Sequence, residues 1–103
     1  MKAYMDMNKG YIYIRNNESY NKYNVCKLGI TTNLYNRHST YKTNEIICGN
    51  FILIIQIDKS KLNILDKLLK YHFSDYNYYI NGGTEFYKTD IILLIEPYLK
   101  TLN

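Results

Sequence analysis

The sequence is poor in the devices that mark secreted, metal-stapled or membrane proteins. It has two cysteines in 103 residues, Cys26 and Cys48, without a CxxC spacing. That argues against a disulfide framework, and two distant cysteines plus two histidines at unmatched spacing do not make a zinc site. Reduced, buried thiols are expected instead. No apolar run approaches the ~20 residues needed to cross a bilayer. The first ten residues, MKAYMDMNKG, lack the apolar stretch of a signal peptide. An intracellular protein with no membrane partner is therefore expected. Proline occurs once, at Pro97, and there is no repeat, linker or low-complexity block. The expectation is one domain over residues 1–103, with a modest core.

What the chain does have is tyrosine, 13 of its 16 aromatic residues. Much of its apolar bulk thus ends in a hydroxyl, suited to sit half in a core and half at a wet surface. The net charge is +4, which permits a polyanionic partner without requiring one. Lysine supplies nearly all the positive charge, and only two of the 13 basic residues are arginines. An arginine where lysine is the default suggests a need for the planar guanidinium fork.

Residue patterning predicts the order β-β-α-β-α, then a short extended segment and a last helix. GYIYIR (Gly10–Arg15) and YNVCKLGI (Tyr23–Ile30) read as an antiparallel pair of strands. Thr32 or Asn33 can cap a helix running to about Lys42. NFILIIQID (Asn50–Asp58) is almost continuously apolar and reads as a strand buried on both faces. Ser60 can cap the next helix, whose apolar stripe is Leu62, Leu65, Leu69 and His72, widened by Ile64 and Leu68. NGG (Asn81–Gly83) reads as a turn and TEFYK as the extended segment. Thr89 or Asp90 can cap a C-terminal helix of about residues 89–101, bent near Pro97. The fold class is α+β: a small antiparallel three-stranded sheet flanked by helices.

The order and residues of four segments resemble the GIY-YIG nuclease superfamily, in particular its compact T5orf172-like (Mug113-like) branch of viral or phage type. GYIYI stands for the first motif and CKLGIT for the second. Arg37 and Tyr41 follow on the next helix, ILDKLLKYHFSDYN resembles the metal-binding helix, and GGTEFY resembles the closing motif. The resemblance spans about residues 10–87. It implies a small endonuclease that hydrolyses DNA phosphodiester bonds, with Mg²⁺ or Mn²⁺ and no organic cofactor. The partner implied is DNA, branched or nicked. With no second domain to read bases, weak sequence preference, a homo-oligomer or a specificity-giving partner protein is expected.

Each site role follows from that resemblance, residue by residue. Tyr13 matches the first-motif tyrosine, with Tyr11 the alternative register. Lys27 stands where the wider superfamily has a second tyrosine; protonated, it cannot be a base, but it can stabilise a phosphate oxygen. Arg37 would hold the scissile phosphate, and Tyr41 would orient the water or leaving group. Asp66 is the implied metal ligand, one methylene shorter than the family's glutamate. Asn77 and Glu85 match two later positions, catalytic or structural.

The chemistry is consistent with these positions. Phosphodiester hydrolysis needs water activation, cationic help for the phosphate and usually a carboxylate-held divalent ion. Tyr11 and Tyr13 share a strand face, as do Val25, Lys27 and Gly29. Arg37 and Tyr41 lie one helical turn apart, while His38 points about a quarter turn away and receives no role. Gly29 reads as the hinge into that helix. The structural readings stand beside these: Tyr11 and Tyr13 as packing aromatics, Lys27 as a solvated lysine, Asp66 as an ion-paired helix carboxylate. Two function classes follow, an endonuclease or a catalytically degenerate module of the same fold that binds nucleic acid or a protein.

Overall fold

The computed structural model describes residues 8–78 and 85–102. Four strands form one antiparallel sheet in the order β3-β1-β2-β4: β1 Lys9–Asn16, β2 Val25–Thr31, β3 Asn50–Asp58 and β4 Phe86–Lys88. The helices are α1 Glu18–Asn21, α2 Leu34–Asn44, α3 Leu62–His72 and α4 Ile91–Lys100. The α+β class expected from the sequence is the class observed. The sheet gains a fourth strand, because Phe86–Lys88 of the expected extended segment pairs with Val25–Lys27. The turn expected at NGG lies outside the described residues.

Short-range chemistry sets the connections. The β1–β2 link closes on α1, whose cap Asn17 accepts a hydrogen bond from the Tyr20 N–H at 3.1 Å. Asn24 then takes a left-handed φ of 54°, a conformation asparagine tolerates better than most residues. Asn33 caps α2 by accepting from the Asn36 N–H at 3.0 Å. Ser60 makes no cap: a 3₁₀ turn, Lys59–Lys61, leads into α3 without a side-chain cap bond.

Strand alternation divides the sheet into two faces. Ile12 and Ile14 of β1, with Cys26 and Leu28 of β2, join Leu69, Phe73, Tyr87, Ile91 and Ile95 in the main core. Gly10 shares that face, and a Cβ there would run into the side chain of Leu62. Helices α3 and α4 therefore cover this face. Phe73 takes the core position expected of His72, which instead stacks on Tyr98 with ring centroids 3.7 Å apart. Ile64 points outward and does not widen the stripe. Of the two thiols, Cys26 is buried as expected, and burial pushes it up to about 12, whereas Cys48 is exposed. The other face carries Tyr13, Arg15, Lys27 and Gly29, and α2 lies over it, as its contacts to Tyr13 show.

The expectation that β3 is buried on both faces is not met. It is an edge strand, with alternate residues Ile52 and Ile54 each 47% exposed. Its apolar composition suits a central strand; the strand order gives it a single neighbour, β1. No helix among the described residues is long and apolar enough to cross a membrane.

Candidate active site

The α2-covered face of the sheet brings together residues from five elements. Tyr13 leaves the middle of β1 and is wholly buried. Its hydroxyl lies 2.7 Å from that of Tyr41, and it accepts a hydrogen bond from Nη1 of Arg37 at 3.1 Å. Gly29, its partner across the β1–β2 pair, makes the room. A Cβ on Gly29 would overlap the Tyr13 hydroxyl and stand 2.6 Å from Cζ. Gly29 is therefore not the expected hinge. It sits inside β2, two residues before the strand ends, and its lack of a side chain is what lets a phenol lie across it.

Lys27 lies on the same face, enclosed by rings. Its ammonium is 4.7 Å from the Tyr41 centroid, 5.1 Å from Phe86 and 5.8 Å from Tyr20. Cation–π attraction of this kind contributes about 0.5–2 kcal/mol per contact, more as water is excluded. It also holds the charge next to the two phenols rather than out in solvent.

Behind Tyr41 stands a buried ion pair. Arg15 has no solvent exposure, and its guanidinium lies 4.5 Å from the Tyr41 ring centroid. It donates to Glu45 at 2.9 and 3.4 Å, to the Gly49 carbonyl at 3.0 Å, and to Nδ1 of His38 at 3.0 Å. Glu45 also accepts from the Tyr20 hydroxyl at 2.6 Å and the Gly49 N–H at 3.1 Å. Every polar group of the pair thus has a partner, the condition under which a buried charge is tolerated. Burial works against the charge of each member. The hydrogen bonds and the mutual attraction outweigh it, so the Arg15 pKa is raised and the Glu45 pKa lowered. His38 thus serves the ion pair, and the α2 residues that meet Tyr13 are Arg37 and Tyr41.

Tyr41 and Tyr20 are biased toward their neutral form. Burial is the main cause that raises the Tyr41 pKa, helped by its hydrogen bond with Tyr13 and by the negative charge of Glu85 and opposed by Arg37. Tyr20 is raised for the same first reason and by its bond to Glu45. At neutral pH Tyr41 is therefore a hydrogen-bond donor, not a base.

The remaining sequence candidates separate cleanly. Tyr11 shares the face of Tyr13, opposite Thr31 and Gln56, without a hydrogen bond to the cluster. Asp66 does not join it. It stands on α3, across the sheet from Tyr13, 27% exposed and 3.1 Å from Lys70 one turn on. The ion-paired reading of Asp66 is the one its surroundings match. Asn77 bridges to Tyr87 and donates to the Phe86 carbonyl at 3.1 Å, which fastens the outer side of β4. Glu85 precedes β4, where its carbonyl accepts from the Leu28 N–H at 3.0 Å. Its side chain is exposed, and its charge acts on both Tyr41 and Tyr20.

Among the described residues no three His, Cys, Asp or Glu side chains gather into a metal cage. Glu45 is saturated by Arg15, Tyr20 and Gly49, which leaves Glu85, among the described residues, as the carboxylate whose charge reaches Tyr41 and Tyr20. One carboxylate suits Mg²⁺, which often binds through one or two and keeps several waters.

Sequence reasoning missed Arg15, Tyr20, Glu45 and Phe86. Arg15 carried a usable signal: it follows Tyr11 and Tyr13 at the same strand period and is one of two arginines. Glu45, 30 residues away in sequence, carried none. Comparison with curated proteins and with solved structures gave no match. The T5orf172 domain family model matches residues 10–100, a span from β1 to the last residue of α4, and the chain belongs to that family.

Proposed function

We propose that the chain is a small endonuclease of GIY-YIG type that hydrolyses DNA phosphodiester bonds with the help of Mg²⁺ or Mn²⁺. The observation that carries this reading is the Arg37–Tyr13–Tyr41 chain of hydrogen bonds beside the ring-enclosed Lys27. Arginine has only donors, so Tyr13 accepts from Arg37. Either hydroxyl can donate across the 2.7 Å contact; in the proposed arrangement Tyr13 donates to Tyr41, which leaves the Tyr41 proton for a phosphate oxygen or an attacking water. The guanidinium at one end polarises the whole chain, which strengthens the outermost donor.

This modifies the roles that the family resemblance implies. Tyr13 is too deeply buried to take a proton from water itself; it orients Tyr41, which is 9% exposed and serves as the outlet. Arg37 and Lys27 supply the cationic field for the phosphate. Glu85, rather than Asp66, would hold the divalent ion, which supplies further charge stabilisation at the phosphoryl oxygens when bound. The substrate is DNA engaged mainly through its backbone, with weak base preference. The net charge of +4 supports such a partner.

The test is conversion of supercoiled plasmid to nicked circles by the purified protein with Mg²⁺ or Mn²⁺. Wild type nicks, EDTA stops it, and Tyr13→Phe lowers the rate by about 10²-fold, the scale of one lost catalytic hydrogen bond. The packing of the ring is kept in that variant, so folding is not at issue. The absence of a three-ligand cage among the described residues favours a second reading, a binding module without catalysis. Salt-sensitive DNA binding that survives EDTA, with no nicking by wild type, would establish that reading and defeat the first.

A further inference from the structure

We propose that the outer edge of β3 is the contact between two copies of this chain, joined as one continuous antiparallel sheet. The inference starts from a mismatch. NFILIIQID has one charged residue in nine, Asp58, and apolar side chains on both rows. Such a strand is at home with neighbours on both edges and cover on both faces. Among the described residues β3 has a strand partner on one edge only, and Ile52 and Ile54 are half exposed. A nine-residue, mostly apolar edge strand with no proline or lysine within it is a template for another strand.

Beside the same edge, on the core side of the sheet, lies a groove of about 430 Å³ whose lining mixes the aliphatic Ile55, Ile57, Leu65 and Leu99 with charges of both signs, Lys61 and Glu96 among them. A strand laid against β3 would therefore meet aliphatic side chains on the core side, bordered by charges of both signs. A second β3 has the side chains for this. The register with β1 is regular over residues 53–57, between a bulge near Arg15 and the end of the strand. Antiparallel pairing of two such stretches about a two-fold axis at Ile55 sets Leu53 opposite Ile57 and Ile54 opposite Gln56. Leu53 and Ile55 of each copy then face the groove of the other.

Charge favours this edge as the place where two copies meet. Two chains of net charge +4 repel each other over most of their surface. At β3 the single carboxylate, Asp58, is already paired with Lys9 at 3.2 Å, and no like charges oppose each other in the two-fold pairing. The axis is perpendicular to the sheet, so both α2-covered faces lie on the same side. Three strand spacings then separate the two β1 strands, about 14 Å.

The inference does not depend on how the Tyr13 site is read, and neither does its test. Sedimentation or light scattering of the full chain at about 100 µM, above the Kd of a micromolar homodimer, is expected to give twice the chain mass of 12.3 kDa. Ile54→Lys places an ammonium at the pairing edge of each copy and is expected to return the mass to that of one chain. Ile64→Lys, an equally drastic change on the exposed side of α3, leaves the dimer intact. A monomeric wild type overturns the proposal, as does a dimer that Ile54→Lys does not shift. If Ile54→Lys fails to fold, amide exchange in wild type decides. Protection at every residue from 53 to 57 supports the paired edge, and fast exchange at alternate positions overturns it.

Discussion

Glu45→Ala is expected to destabilise the fold by about 3–5 kcal/mol, the scale set by removing one partner of a buried ion pair. Among the described residues Glu45 is the only carboxylate bonded to the wholly buried Arg15, and it also anchors Tyr20 and the Gly49 N–H. Without it a guanidinium remains in the interior with a carbonyl and a histidine nitrogen as its remaining acceptors. By contrast, Lys70→Ala breaks the exposed pair with Asp66 and is expected to cost less than about 1 kcal/mol. Urea unfolding at pH 7 measures both. A Glu45→Ala loss below about 1 kcal/mol would mean that the ion pair is not buried as described.

The same residue gives the fold an acid limit. The folded pKa of Glu45 is lowered relative to the unfolded chain. Its contribution is therefore complete above the unfolded value of about 4.3 and is lost as pH falls through the folded one. Wild-type stability should decline below about pH 4, and the Glu45→Ala protein should show a shallower decline over that range.

Arg37→Ala is the second large effect, an expected loss of about 10²–10³-fold in cleavage with little change in stability. Arg37 is half-buried, so its removal leaves no buried charge behind. What disappears is the donor to the Tyr13 hydroxyl and, in the proposed mechanism, the cation that meets the phosphate. Arg37→Lys should not restore the rate, because an ammonium cannot give two parallel hydrogen bonds. A nicking assay with both variants, each checked by circular dichroism, measures this. Equal rates in wild type and Arg37→Ala would remove Arg37 from the chemistry.

How much of this was legible in the sequence differs by residue. The strands and helices were readable because their periods are local: GYIYIR and the leucine stripe of α3 each announce one kind of element. The pair Arg37 and Tyr41 was readable for the same reason, since one helical turn fixes their common face. Four things were not. The place of β3 at an edge depends on strand order, which no local pattern encodes, and its composition pointed the other way. Asp66 stood at the border of an apolar stripe, and the stripe shows which side of α3 is buried but not which face of the sheet it covers. Gly29 precedes a helix and so resembled a hinge; its actual role is set by Tyr13, 16 residues earlier and directly across the pair. Arg15 and Glu45 form one unit in space from two distant segments, and only the folded chain joins them.

The most direct measurement compares two carboxylates on opposite faces of the sheet. Metal-dependent plasmid nicking is measured for wild type, Glu85→Gln and Asp66→Asn under the same conditions. If the site is the Arg37–Tyr13–Tyr41 face, Glu85→Gln loses nicking while Asp66→Asn keeps the wild-type rate. Loss in Asp66→Asn with full activity in Glu85→Gln would contradict that placement.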